Sequence, residues 1–164
     1  MEIRHIMKSD DFPSVRELYY RSWKFAYGDI IPMEWIESRP KDKWGGNITE
    51  NGRAEIGAFE DGKIVGTASF GASRWEKFRG YGEIVTIYLL PEYIGRGVGS
   101  DLMERCISEL KAQGYSSILL WVLEENTRAR RFYEKHGFKL TEEYMDDNIG
   151  GRDVREVMYT LDIE

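Results

Sequence analysis

The chain has 164 residues, 41% of them apolar and 13% aromatic. That suits one folded domain, residues 1–164, leaves two cramped, and excludes a disordered chain, which would be poor in aromatics. Acids number 29 against 23 Lys plus Arg, a net charge of -6, which argues against nucleic acid as a partner because that needs a basic footprint.

Cys106 is the single cysteine and cannot form an internal disulfide; His5 and His136, the only histidines, lie far apart, so no cluster stands ready for a metal. No apolar run approaches the roughly 20 residues that span a bilayer. Met1 to His5 lacks the apolar core of a signal peptide. The expectation is a reduced, cytoplasmic compartment, with neither metal nor membrane.

Ile3 to Met7 reads as a short strand. Ser9 or Asp10 offers a cap for a helix, with Pro13 in the first turn, where a missing N–H is tolerated. Val15, Leu18, Tyr19, Ser22, Trp23 and Ala26 recur at helical spacing, and Gly28 offers a stop. Residues 29–50, rich in Trp and charge (Trp35, Trp44, Lys41, Asp42, Lys43), read as one or two short helices with loops. Ala54–Glu60, Asp61-Gly62 and Lys63–Phe70 form a β-hairpin pattern, since Asp-Gly favours the positive φ angles of a tight turn. Gly82 to Leu90 is another strand, with Glu83, Val85, Ile87 and Leu89 on one face, and Pro91 ends it.

A helix spans about Ser100 to Gln113, its stripe formed by Leu102, Met103, Cys106, Ile107 and Leu110. Ser117 to Leu123 is apolar on both faces, as a central strand should be. Asn126 caps a helix running to His136, which Gly137 ends. Phe138–Met145 and Val154–Ile163 are two last strands joined by the polar segment Asp146–Asp153. The class is α/β (α+β): an antiparallel start, then a βαβ-like centre.

The most informative segment is the loop Ile94-Gly95-Arg96-Gly97-Val98-Gly99-Ser100, between a buried strand and a helix start. Glycines let the chain turn sharply and let a ligand approach. The unpaired N–H groups of a helix start, with the positive end of its dipole, suit a phosphate or diphosphate. It is neither a Walker loop, for lack of Gly-Lys-Ser/Thr, nor a dinucleotide fingerprint, since Ser100 stands where a third spaced glycine belongs. The bland alternative is a tight βα turn.

This loop resembles the Gln/Arg-x-x-Gly-x-Gly/Ala pattern of the GNAT superfamily, the acetyl-CoA-dependent N-acetyltransferases, with Gly97 and Gly99 matched and Ile94 departing at the Gln/Arg position. A second segment is similar to that family's Asn-x-x-Ala-x-x-Phe-Tyr-x-x-x-Gly-Phe motif: Asn126, Ala129, Phe132, Tyr133, Gly137 and Phe138. The likeness covers Gly82 to about Leu140. Ser22, Trp23, Tyr27 and Ile30-Ile31-Pro32 resemble a subgroup of small bacterial-type members.

The resemblance implies a mostly antiparallel, twisted mixed sheet flanked by helices, with a splayed central strand pair. It implies acetyl-CoA as cosubstrate, bound by Ile87, Tyr88, Leu89, Gly95, Arg96, Gly97, Val98, Gly99, Ser100, Asn126, Ala129 and Tyr133. The acceptor would be the amine of a small molecule or peptide, contacted by Trp23 and Tyr27. Tyr133 would be the general acid, a phenol of pKa about 10 able to protonate a thiolate; its plain reading is a packed core aromatic. The Leu89 N–H would polarise the acetyl carbonyl. Glu83 would be the base, or else a solvated strand-end charge. Arg96, Arg128, Arg130 and Arg131 could meet phosphates or pair with Glu124, Glu125 and Glu134 on a solvated helix face. A CoA-binding sensor without turnover is the alternative function. An exposed final strand could support a homodimer.

Overall fold

The computed structural model describes residues 1–40, 42, 44 and 52–163; Lys41, Lys43 and residues 45–50 of the predicted helix-and-loop stretch lie outside the described residues. Seven strands form one sheet: β1 (Glu2–His5), β2 (Ala54–Glu60), β3 (Lys63–Ala72), β4 (Gly82–Leu89), β5 (Ser117–Leu123), β6 (Lys139–Ile149) and β7 (Arg152–Asp162). Their order is β1-β2-β3-β4-β5-β7-β6. Among the described residues only β4 and β5 run parallel, and the chain crosses between them through a helix. Among the described residues four α-helices flank the sheet: α1 (Phe12–Tyr27), α2 (Met33–Ser38), α3 (Val98–Ala112) and α4 (Thr127–Lys135).

Local chemistry explains the elements. The β2–β3 turn has Asp61 at φ 51° and Gly62 at φ 78°, the two positive values that a tight hairpin demands. Asp11 caps α1, accepting from the Ser14 N–H. Ser9 and Asp10 do not, because the Asp10 carboxylate is taken by the Arg4 guanidinium and the Met7 N–H. The first strand therefore ends at His5 rather than Met7. The segment Asp146–Asp153 is not a connector: β6 and β7 run through it as a hairpin turning at Gly150 and Gly151. Gly150 lies against Trp35 of α2, where a Cβ would come within 2.7 Å of the Trp35 side chain.

Each face of the sheet buries one apolar cluster. Leu102, Met103, Cys106 and Leu110 of α3 pack on Ile118, Leu120 and Tyr159. Val15, Leu18 and Tyr19 of α1 pack with Ile31, Ile36 and Phe59 on the other. Each fully buried aliphatic side chain stabilises the fold by about 1.5–3 kcal/mol.

Two irregularities shape the middle of the sheet. The register shifts so that Ser69 faces Thr86 while Phe70 faces Ile84, leaving Val85 as a bulged residue of β4. Strict alternation breaks there: Ile84 and Ile87, three apart, both reach the α3-side cluster, and Tyr88 reaches the α1 side. Glu83 thus does not share a face with Ile87 and Leu89, as unbroken alternation predicts. The second irregularity is that β4 and β5 pair only at Gly82–Ile118 and Glu83–Leu119, then part.

Candidate active site

The parting strands open a cavity of about 420 Å³, lined from α1, β4, the glycine loop, β5, α4 and β7. Its backbone wall follows from strand geometry. The Leu90 N–H donates to Val65 of β3, so the N–H and C=O groups of Leu89 and Ile87 point to the opposite edge, toward β5. The Leu89 carbonyl accepts from the Ser22 hydroxyl of α1 at 2.6 Å, as that direction requires. The side chains of Ile87 and Leu89 meanwhile anchor β4 in the core.

One end of the cavity is the glycine loop. Gly95 and Gly97 hold φ values of 80° and 86°, and nothing lies within 4 Å of where a Cβ would sit. The loop surface is therefore open to an approaching group. Gly97 precedes α3 without any side-chain cap, and Asp101 is the first residue to bond back to the Gly97 carbonyl. The amides of Val98, Gly99 and Ser100 are the orphans of the first turn. At Gly99 a Cβ would lie 3.4 Å from Leu89 and Phe132, an ordinary van der Waals contact. The side chains of Arg96 and Val98 do not line the cavity: Arg96 stacks over Tyr93 at 4.6 Å, and Val98 is buried in the core. Of the three arginines in the Asn126–Phe138 segment, Arg128 lines the cavity with its guanidinium over Phe25, whereas Arg130 bonds Tyr159 and the Glu124 carbonyl, and Arg131 is exposed.

Asn126 caps α4 by accepting from the Ala129 N–H, and both residues line the cavity with Tyr133. Tyr133 is buried; desolvation, with Tyr88 adding, holds its phenol well above the ordinary value. It is a proton donor that stays protonated throughout the physiological range. On the α1 side, Trp23 and Tyr27 meet edge to face at 4.8 Å, and the Tyr27 and Tyr88 hydroxyls lie 3.5 Å apart.

Glu83 is not among the lining residues. It is 1% exposed, and its carboxylate accepts from the Arg74 N–H at 3.0 Å, from the Arg74 guanidinium at 2.8 Å and from the Trp75 indole at 3.4 Å. That set fastens the β3–β4 loop to the sheet and leaves Glu83 a structural acid. Glu83→Gln is expected to lower stability by about 1–3 kcal/mol in denaturant unfolding, since buried donors lose a charged acceptor, and to leave the acidic limb of the pH–rate profile in place.

The carboxylate that does line the cavity is Glu156 of β7. Burial raises its pKa first, the neighbouring Asp147 adds to this, and Arg74 opposes it. No sequence motif pointed to Glu156; its place depends on β7 inserting between β5 and β6. Trp121 also lines the cavity, its ring tilted against that of Trp75 with centroids 5.4 Å apart. Among the described residues no group of three or more His, Cys, Asp or Glu is placed to hold a metal, and no helix is long and apolar enough to cross a membrane.

A profile of the Acetyltransferase (GNAT) family matches residues 12–138. The chain belongs to the GNAT family of acetyltransferases. It is 33% identical over 161 residues to the uncharacterised N-acetyltransferase YuaI of Bacillus subtilis, covering 92% of this chain and 87% of the relative. It is 27% identical over 168 residues to a spermidine N(1)-acetyltransferase of Thermoplasma acidophilum, covering 97% and 98%. The fold matches the crystal structure of the PaiA N-acetyltransferase of T. acidophilum in complex with coenzyme A, with a TM-score of 0.77, 23% identity and 99% coverage of both chains. The fold shared with that structure is one mixed sheet flanked by helices.

Proposed function

We propose that this GNAT protein transfers acetyl from acetyl-CoA to a primary amine of a small molecule or peptide, by direct attack within a ternary complex. One observation carries the reading: orphan amides of the α3 start, the unpaired edge of β4 and the Tyr133 phenol all line a single cavity. These groups fit the cosubstrate's chemistry. The amides of Val98, Gly99 and Ser100 would hold its diphosphate, and Ile87 and Leu89 would bond the amides of its arm. When bound, acetyl-CoA supplies an activated acetyl group on a thiol leaving group.

The chain's own residues do the rest. Glu156 takes the proton of an ammonium acceptor, its raised pKa making it a better match for that proton than an ordinary carboxylate. The Leu89 N–H donates to the carbonyl oxygen as charge develops there. Tyr133 holds the proton that a departing thiolate needs. Trp23 and Tyr27 form the acceptor's wall, and Glu156 with nearby Asp147 favours a cation over an anion. The relative named as a spermidine acetyltransferase accords with a cationic amine. Direct attack is favoured because Cys106, the sole thiol, is fully buried under α3, does not line the cavity and is pushed up by desolvation into an inert state. That lone thiol and the reaction's cosubstrate suit the cytoplasm.

The experiment is an amine panel assayed for free thiol together with a thermal-shift titration of acetyl-CoA. A ligand that prefers the native state must raise the melting temperature. We expect a dose-dependent rise with acetyl-CoA and thiol release matched by acetylated amine. No rise at saturating acetyl-CoA would sink the ligand assignment; a rise with no release from any amine would favour a sensor.

A further inference from the structure

We propose that His136 is a positioning residue that couples diphosphate binding to proton uptake, acting through the Ser100 hydroxyl at the start of α3. The proposal rests on the reading of the glycine loop as the coenzyme's diphosphate site. The Ser100 Oγ and the His136 Nε2 lie 3.1 Å apart, and Ser100 lines the cavity beside the open loop amides. His136 sits just past the end of α4, its N–H donating to the carbonyls of Phe132 and Tyr133 and its ring packed edge to face on Phe132 at 4.7 Å. The imidazole is therefore fixed, not a swinging surface group.

The hydrogen-bond inventory gives the coupling. A Ser100 O–H given to an anion is no longer available to Nε2, so the 3.1 Å contact is kept as a hydrogen bond only when Nε2–H donates to Oγ. A neutral imidazole carries that hydrogen in only one tautomer, whereas an imidazolium always carries it. The anion thus favours the protonated ring, and the protonated ring favours the hydroxyl orientation that greets the anion. Three influences face the ring before binding. Burial disfavours the cation, Lys135 of α4 opposes it, and Glu104 of α3 supports it; the net effect sets His136 below its ordinary value. The free protein then holds the ring largely neutral near neutrality, so binding has a proton to gain. The sign follows from linkage: affinity is greatest in acid and declines as pH rises through the free and bound pKa values.

The test uses dephospho-CoA, whose diphosphate keeps its charge over the range while the separately titrating 3′-phosphate is missing. For the wild-type chain, the Kd should weaken about three- to tenfold between about pH 5.5 and about pH 8.5, a tenfold change corresponding to one pKa unit. Calorimetry in two buffers of different ionisation enthalpy should show fractional proton uptake. In His136→Gln, which keeps a donor of similar reach, the dependence should flatten and the uptake vanish. Ser100→Ala cuts the same link from the other side and should flatten it too, at weaker overall affinity. A flat wild-type profile, or a wild-type slope retained in either variant, overturns the coupling. A wild-type chain that binds dephospho-CoA at no pH overturns the diphosphate assignment beneath it.

Discussion

Tyr133→Phe is expected to lower turnover by about a hundred- to a thousandfold, the usual contribution of a positioned general acid, while leaving coenzyme affinity within about twofold, a small fraction of what one hydrogen bond contributes. The substitution removes one oxygen and keeps the ring, whose packing against Phe132, Phe138 and Tyr159 holds the end of α4. Stability should therefore move by no more than about 1 kcal/mol. Single-turnover rates and a binding titration on the same preparation separate the two effects. Because burial keeps the phenol protonated, the wild-type rate should show no loss of this acid on the alkaline side up to the ordinary tyrosine range. Unchanged turnover in the Phe variant would remove Tyr133 from the chemistry.

Glu156→Gln should cost about a hundredfold or more in kcat/KM, in line with loss of a general base, and should abolish the acidic limb of the profile. The sign is set by its environment. The base works when deprotonated, and burial with Asp147 raises its pKa, so wild-type activity falls as pH drops through a value above the usual carboxylate range. Asp147→Asn should move that limb to lower pH, since a like charge is taken away. A limb that stays put in Glu156→Gln would place the base elsewhere. Glu83→Gln serves as the contrasting variant: its carboxylate is saturated by Arg74 and Trp75, so it should change stability and not the limb.

What could be read from the residues was the local part. Asp61-Gly62, the Gly95–Gly99 loop, the Asn126 cap and the Ser117–Leu123 strand are each specified by neighbours a few positions away, and each took the expected form. The α3 helix is legible too, but it starts at Val98, two residues before the expected Ser100, because Gly97 supplies the left-handed turn. The misread parts depend on distant pairings. The bulge at Val85 reflects how β4 meets β3, and no residue of β4 announces it; without it, Glu83 appears to share a face with Ile87. Asp146–Asp153 looked like a linker because β6 is exposed along most of its length, so its strand lacks apolar alternation. Glu156 escaped notice for a related reason: a glutamate in an apolar strand carries no motif, and its position opposite Leu123 exists only once β7 has paired with β5. Trp23 and Tyr27 were placed by likeness alone, and α1 does bring both to the cavity wall.

Beyond residues 83 and 119, β4 and β5 stop pairing in the centre of a sheet, leaving a border of the kind that at a sheet's rim invites a foreign polypeptide to dock or polymerise. Here side chains of α1 and α4 line the gap. If the gap takes the proposed cosubstrate, peptide groups of β4 would read it whatever the side chains there, and the surrounding side chains would be left to select the acceptor.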